Sequence, residues 1–270
     1  MIEINGEDKL NSPETEGRHL LVALMGVPAS GKSTLAGLLG EGSFGVVEEV
    51  PVQNVPDFGD YYVRNNPELS FRIQLFFLAQ KYLRIGEASK LLEGGPVVIE
   101  PPPWSDRIFA QARLETNREL WPLYERTYNT LFPVDGKGSF RPDLVCYLRL
   151  SFDILERRIK DRAKKDKNRM PETKESPDYW KRVLDLHEKW VGESRDRYKI
   201  LTINGDSLDF GRLGEENGRK ALLKDFLAQS NSALLREPGD PFINIPEAIV
   251  NYQPRTNYQA DIFPEPVRTG

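Results

Sequence analysis

Leu20-Leu-Val-Ala-Leu-Met25, followed at once by Gly26-Val-Pro-Ala-Ser-Gly31-Lys32-Ser33-Thr34, is the stretch on which the reading of this chain turns. The first part is a short, uninterrupted apolar run of the kind that suits a strand buried on both faces. The second fits G-x-x-x-x-G-K-[ST], and a helical pattern over 33–39 follows it. Strand before and helix after make this a phosphate-binding loop rather than a chance match. Glycines let the backbone wrap so that successive N–H groups point at phosphate oxygens, and the helix adds the positive end of its dipole. Gly26, Ala29, Ser30, Gly31, Lys32, Ser33 and Thr34 are therefore the expected nucleotide contacts. Lys32 is expected to reach the β- and γ-phosphates, and the Ser33 hydroxyl to ligate Mg²⁺.

Comparable apolar runs recur at 45–47, 96–99, 144–148 and 199–203. Helical spacings lie between them, over 68–92, 152–163 and 178–196, with a last helix at 216–229. In 68–92, Phe71, Leu75, Leu78, Tyr82, Ile85 and Leu92 fall at helical intervals. Ser176 stands as N-cap for the helix after it, with Pro177 in its first turn. Alternating strands and helices predict an α/β chain of the P-loop NTPase fold, with a five-stranded parallel sheet, helices on both faces and a helical lid. The expected organisation is a polar leader at 1–18, one domain at 19–229 and a tail at 230–270 rich in proline.

Composition narrows the function classes. The net charge of -4 argues against a general duplex nucleic-acid binder, which would need a basic face. No apolar run approaches the ~20 residues that span a bilayer. The leader carries Glu3, Glu7, Asp8, Glu14 and Glu16 and has no hydrophobic block, so a cytoplasmic location is expected. The one cysteine, Cys146, lies in the 144–148 run and reads as a buried, inert thiol. An N-K-x-D guanine-reading sequence is absent, and no apolar strand ends in Asp-Glu, which lowers the GTPase and hydrolytic ATPase options.

The second and third runs each end in acid, at Glu48-Glu49 and at Glu100. In a parallel sheet those ends emerge on the same edge as the phosphate loop, where ligands bind. A carboxylate there can take the proton from an attacking hydroxyl as the γ-phosphate departs, while another supports Mg²⁺.

From about Leu20 to Phe210 the chain resembles the deoxynucleoside kinase family, the kinases of deoxycytidine, deoxyguanosine and deoxyadenosine. Glu49, with Asn54 five residues on, matches the family's catalytic glutamate, although Val50 replaces a proline. Tyr61 or Tyr62 is the counterpart of its sugar-contacting tyrosine. Phe71-Arg-Ile-Gln74 matches a Phe-x-x-Gln helix whose glutamine reads the base, and the resemblance implies Lys81, Asp106 and Phe109 beside it. Pro142-Asp-Leu-Val-Cys-Tyr-Leu-Arg149-Leu resembles the fourth strand, and Leu155-Glu-Arg-Arg158-Ile-Lys-Asp-Arg162 the lid helix. Arg158 and Arg162, four apart, share one helical face and can clamp a phosphoryl group. The stretch 164–169 is the expected lid. Leu186-His187-Glu-Lys-Trp190 matches the next helix, with His187 in a structural role, and Asp209 and Phe210 fall where the family holds adenine.

The resemblance implies an ATP-dependent deoxynucleoside 5′-kinase using ATP or another NTP with Mg²⁺. Glu49 is its base, Lys32, Arg158 and Arg162 bind the transferred phosphate, and Ser33 and Glu100 serve the metal. A small-molecule nucleoside is its substrate, and a homodimer through helix 68–92 and its neighbour is implied. Two departures stand out. Glu100-Pro101-Pro102 lacks the arginine of the family's Asp/Glu-Arg-Ser, for which Arg107 and Arg113 are the nearby substitutes, and Lys164 replaces a lid arginine. They keep open a nucleoside monophosphate (thymidylate-like) kinase, and a non-catalytic nucleotide-binding accessory subunit.

Overall fold

The computed structural model describes residues 19–133 and 140–207, with 226, 228–230 and 233. Five strands form one sheet: β1 (Leu21–Met25), β2 (Gly45–Val47), β3 (Val97–Ile99), β4 (Leu144–Arg149) and β5 (Ile200–Asn204). Their order is β2-β3-β1-β4-β5, and every neighbouring pair is parallel. The α/β fold read from the apolar runs is the fold observed.

Side chains of β1 alternate between two cores, as a pleated strand requires. Leu21, Ala23 and Met25 join Val97, Ile99, Val145 and Tyr147 on one face, beneath α3 (Pro67–Leu91), α4 (Pro103–Leu114) and α7 (Pro177–Ser194). Val22 and Leu24 join Val98, Leu144, Cys146 and Leu148 on the other, beneath α1 (Lys32–Glu41). Fully burying a Val or Leu side chain contributes roughly 1.5–3 kcal/mol, so an apolar strand of this kind is stable only with both faces covered. Cys146 is fully buried, and burial pushes its thiol far above the usual range.

The long helix α3 starts where Asn66 accepts a hydrogen bond from Leu69 N at 3.0 Å, with Pro67 in its first turn. Ser176 caps α7 in the expected way, accepting from Tyr179 N at 3.2 Å. Helix α6 (Phe152–Lys165) runs further than 152–163. Three helices went unforeseen: α2 (Phe58–Val63), α4 and α5 (Leu120–Leu131). Pro103, the last of three consecutive prolines, opens α4, a position where a missing N–H costs nothing. The stretch 164–169, expected as the lid, comprises the end of α6, Asp166 and the start of a 3₁₀ segment, Lys167–Lys174. The leader, most of the helix 216–229 and of the tail 230–270, and Asp209 and Phe210 lie outside the described residues. Among the described residues no helix is long and apolar enough to cross a membrane.

Candidate active site

All five strands end on one edge, and the loops leaving it surround a cleft of about 520 Å³. Its floor is the phosphate loop. Gly26 has φ 152°, and a Cβ there would meet Leu148 O at 2.7 Å and the Ser30 hydroxyl at 2.8 Å, so only glycine fits. Ala29 and Gly31 both take left-handed backbone, at φ 59° and 104°. These turns bring the chain to α1, whose N-cap is Gly31 and whose first turn has no side-chain cap. Its leading amides are thus left for an anion.

Gly26, Ala29, Gly31, Lys32, Ser33 and Thr34 line the cleft as expected. Ser30 does not: its side chain is buried, and its carbonyl instead receives Arg158 Nη1 at 3.5 Å. Lys32 Nζ donates to the carbonyls of Gly26 and Val27, both at 2.9 Å. Burial lowers its pKa to about 8; Glu100 and Glu49 oppose that shift, and the arginines 162 and 169 add to it.

Of the two acids after β2, Glu49 lines the cleft, whereas Glu48 is solvent-exposed. Asn54, placed by its spacing, is exposed and outside the cleft. Glu100 is buried, hydrogen-bonds Ser33 and keeps Oε2 without a partner among the described residues. Burial raises its pKa, with Lys32 and the Ser33 hydroxyl holding it down.

A hydroxyl and one carboxylate side by side are hard oxygen donors, the set that Mg²⁺ takes together with phosphate and water. No group of three His, Cys, Asp or Glu poised for a metal occurs among the described residues. The donors present therefore suit an ion bound largely by its substrate.

The far half of the cleft is lined by α2, α3 and α4. Tyr61, Tyr62, Gln74, Asp106 and Phe109 all face it. Gln74 Nε2 donates to the Tyr61 hydroxyl at 2.9 Å, which lies 3.1 Å from that of Tyr179. The Gln74 carbonyl oxygen and Asp106 Oδ2 are buried and accept no hydrogen bond among the described residues, although the Lys81 ammonium lies 3.9 Å from Oδ2. Two buried polar atoms here have hydrogen-bonding capacity to spare, the condition in which a hydrogen-bonding ligand gains most. Lys81 is not in the lining; it is buried behind Asp106, 3.9 Å from its carboxylate. Burial lifts Asp106 to about 7, against the pull of Lys81.

On the lid side, Arg158 and Arg162 enter the cleft from α6, one helical turn apart. Arg158 Nη2 also donates to Gly205 O at 2.8 Å. Neither candidate for the missing arginine serves. Arg107 is tied to Glu125 and Arg113 to Glu175, and neither lines the cleft. Lys164 is exposed and paired with Asp161.

His187 is fully buried and donates from Nδ1 to Val183 O at 2.8 Å. Burial lowers its pKa to about 4, so it is neutral at physiological pH, which fits a structural role.

Sequence reasoning missed Phe58, Phe77, Arg169 and Glu172. Phe77 was recoverable, three residues after Gln74 on the same helical face. Arg169 and Glu172 were not, because KDKNRMPETK has no period to place them.

The deoxynucleoside kinase family model matches residues 22–227. A deoxyguanosine kinase of Lactobacillus johnsonii is 26% identical over 215 residues, covering 77% of this chain and 92% of its own. A deoxyguanosine kinase of Bacillus subtilis is 27% identical over 195 residues, covering 70% and 88%. A deoxyadenosine kinase from M. mycoides, solved with dATP bound, superposes with a TM-score of 0.61 at 20% identity, covering 77% of this chain and all of that one. These relatives are nucleoside kinases, the first of the three readings that the sequence left open. The chain belongs to the deoxynucleoside kinase family, and its chemistry is phosphate transfer to a nucleoside hydroxyl.

Proposed function

We propose that the chain transfers the γ-phosphate of ATP to the 5′-hydroxyl of a deoxynucleoside, with Glu49 as the general base. The observation that carries this is the placement of Glu49 in one cleft with Lys32 on the donor side and with Tyr61 and Gln74 on the acceptor side. Glu49 accepts the hydroxyl proton as the oxygen attacks phosphorus. Lys32, Arg158 and Arg162 hold the negative charge that spreads over the transferring group. Tyr61, Tyr62 and Phe109 enclose the nucleoside, and Gln74 and Asp106 meet its base with the buried polar atoms described above. Lys81 acts through Asp106 by holding its carboxylate in place. Ser33 and Glu100 would hold Mg²⁺, which would supply positive charge to offset the negative charge of the donor phosphates. The active form is proposed to be a homodimer built on α3 and α5.

The test is radiolabelled ATP with each of the four deoxynucleosides, and with their monophosphates in parallel. Deoxyguanosine and deoxyadenosine come first, since relatives carry those names. Product is expected with at least one nucleoside, and Glu49→Gln should lower kcat by roughly 10²–10⁴-fold. Folded, ATP-binding protein that labels none of the four overturns the reading; label on monophosphates alone would make it a nucleotide kinase.

A further inference from the structure

One carboxylate in the lining of the cleft holds two guanidinium groups. Glu172 is 1% exposed. Its Oε1 accepts from Arg169 Nη1 at 2.9 Å and its Oε2 from Arg162 Nη2. All three side chains line the same cleft as Lys32. A single negative charge between two positive ones leaves an excess of one cation in a partly desolvated place, which is costly unless an anion completes the set.

Both guanidinium groups have capacity to spare. Each carries five N–H donors. Among the described residues the one hydrogen bond of the Arg169 guanidinium goes to Glu172, and Arg162 Nε is buried and donates to no acceptor. The ring of Phe58 lies 5.8 Å beneath the Arg169 guanidinium and limits its swing. The positive fields of Arg162 and Arg169 both reach Lys32, so the three cations converge on one volume. At the sheet edge Pro101 supplies no charge there, and Arg107 and Arg113 are committed to Glu125 and Glu175.

We propose that Arg169 is a further phosphate-binding residue, directed at the γ-phosphate of the donor, and that Glu172 is the positioning residue that sets Arg162 and Arg169 side by side for it. This rests on the reading of the cleft as the site of an ATP-dependent kinase. A triphosphate replaces part of what Glu172 supplies: each arginine keeps one donor on the carboxylate and turns another edge to phosphate. The 3₁₀ segment thus does the work for which no arginine follows β3.

Calorimetry on the full chain with Mg²⁺, using ADP and the β,γ-imido analogue of ATP, separates a γ-phosphate contact from a merely structural one. Arg169→Ala should bind the triphosphate analogue about tenfold more weakly, with ADP affinity unchanged. Its kcat should fall about 100-fold. Glu172→Gln should show the same selective loss to a smaller extent. Thermal melts accompany each variant. Should Arg169→Ala fail to fold, Arg169→Lys is read instead, and the analogue should again weaken relative to ADP, since a compact ammonium lacks the planar fork that spans carboxylate and phosphate. Equal losses for ADP and the analogue, or no loss for either, overturn the proposal. Should the unmodified chain phosphorylate a nucleoside while Arg169→Ala matches it, the inference fails and the kinase reading stands. An unmodified chain that binds neither nucleotide takes down both.

Discussion

Asp106 lines the cleft, with Lys81 of α3 3.9 Å away and with Glu49 and the Tyr124 hydroxyl of α5 within its field. Desolvation is the strongest of these influences and lifts its pKa from 3.8 to about 7. Between those values the folded chain keeps a proton that the unfolded chain has released. The contribution of this group to stability is therefore full below about pH 4 and is lost as pH rises through about 7. Asp106→Asn removes the titration and leaves the shape. The Tm difference, variant minus unmodified chain, should be more positive at pH 8 than at pH 5. A difference that stays constant over that range would show that the carboxyl titrates as an ordinary surface acid. Asp106 was legible as a site residue only through family resemblance. Its altered acidity was not legible at all, because it depends on a burial created by α3, α4 and α5 together.

Arg113 of α4 joins α2 and α7 at this end of the domain. Its guanidinium lies 4.7 Å from the Tyr61 ring of α2 and 4.0 Å from the Tyr179 ring of α7, and it pairs with buried Glu175 just ahead of α7. Its Nη2 also donates to Tyr61 O at 3.3 Å. One side chain of α4 thus fixes the helix that carries Tyr61 and, through the Tyr61 hydroxyl, the amide of Gln74. Arg113→Ala strands the Glu175 charge, and breaking a buried pair in this way costs about 3–5 kcal/mol. At roughly 2–4 °C per kcal/mol for a domain of this size, Tm should fall by about 10 °C. Adding Glu175→Gln should restore part of that loss, since the orphaned charge is then gone. A double variant no more stable than the single one would place the loss in the stacked rings instead. The sheet could be read from sequence because strands buried on both faces announce themselves as apolar runs. The phosphate loop could be read because its chemistry restricts residue type at fixed spacing. Helices α2 and α5 escaped because one is a single short stretch and the other carries Pro122 in its first turn. The inward ion pairs of Arg113 and Glu172 escaped for a further reason: Glu175 lies 62 residues from Arg113 and Glu172 lies 10 from Arg162, and no local pattern records which of many charges will be folded inward.

Across the whole molecule, five large hydrophobic side chains stand exposed among the described residues. Val63 and Met170 belong to α2 and the 3₁₀ segment, which pack on each other beside the cleft. The other three, Leu83 and Leu91 on α3 and Leu123 on α5, lie on two helices that pack together on the side of the domain away from α1. Scattered single leucines need no explanation, but three on one helix pair are what a second copy would cover. Leu83 is 63% exposed in the single chain, so replacing it removes little from the fold of one protomer. Light scattering should give twice the 30.9 kDa chain mass for the unmodified protein. Leu83→Glu would put a charge into the proposed contact between two copies, and should shift the population toward monomer with circular dichroism unchanged. A mass of one chain for the unmodified protein at micromolar concentration sinks the dimer. A dimer untouched by Leu83→Glu moves the interface off α3, and the exposed leucines would then call for a different partner.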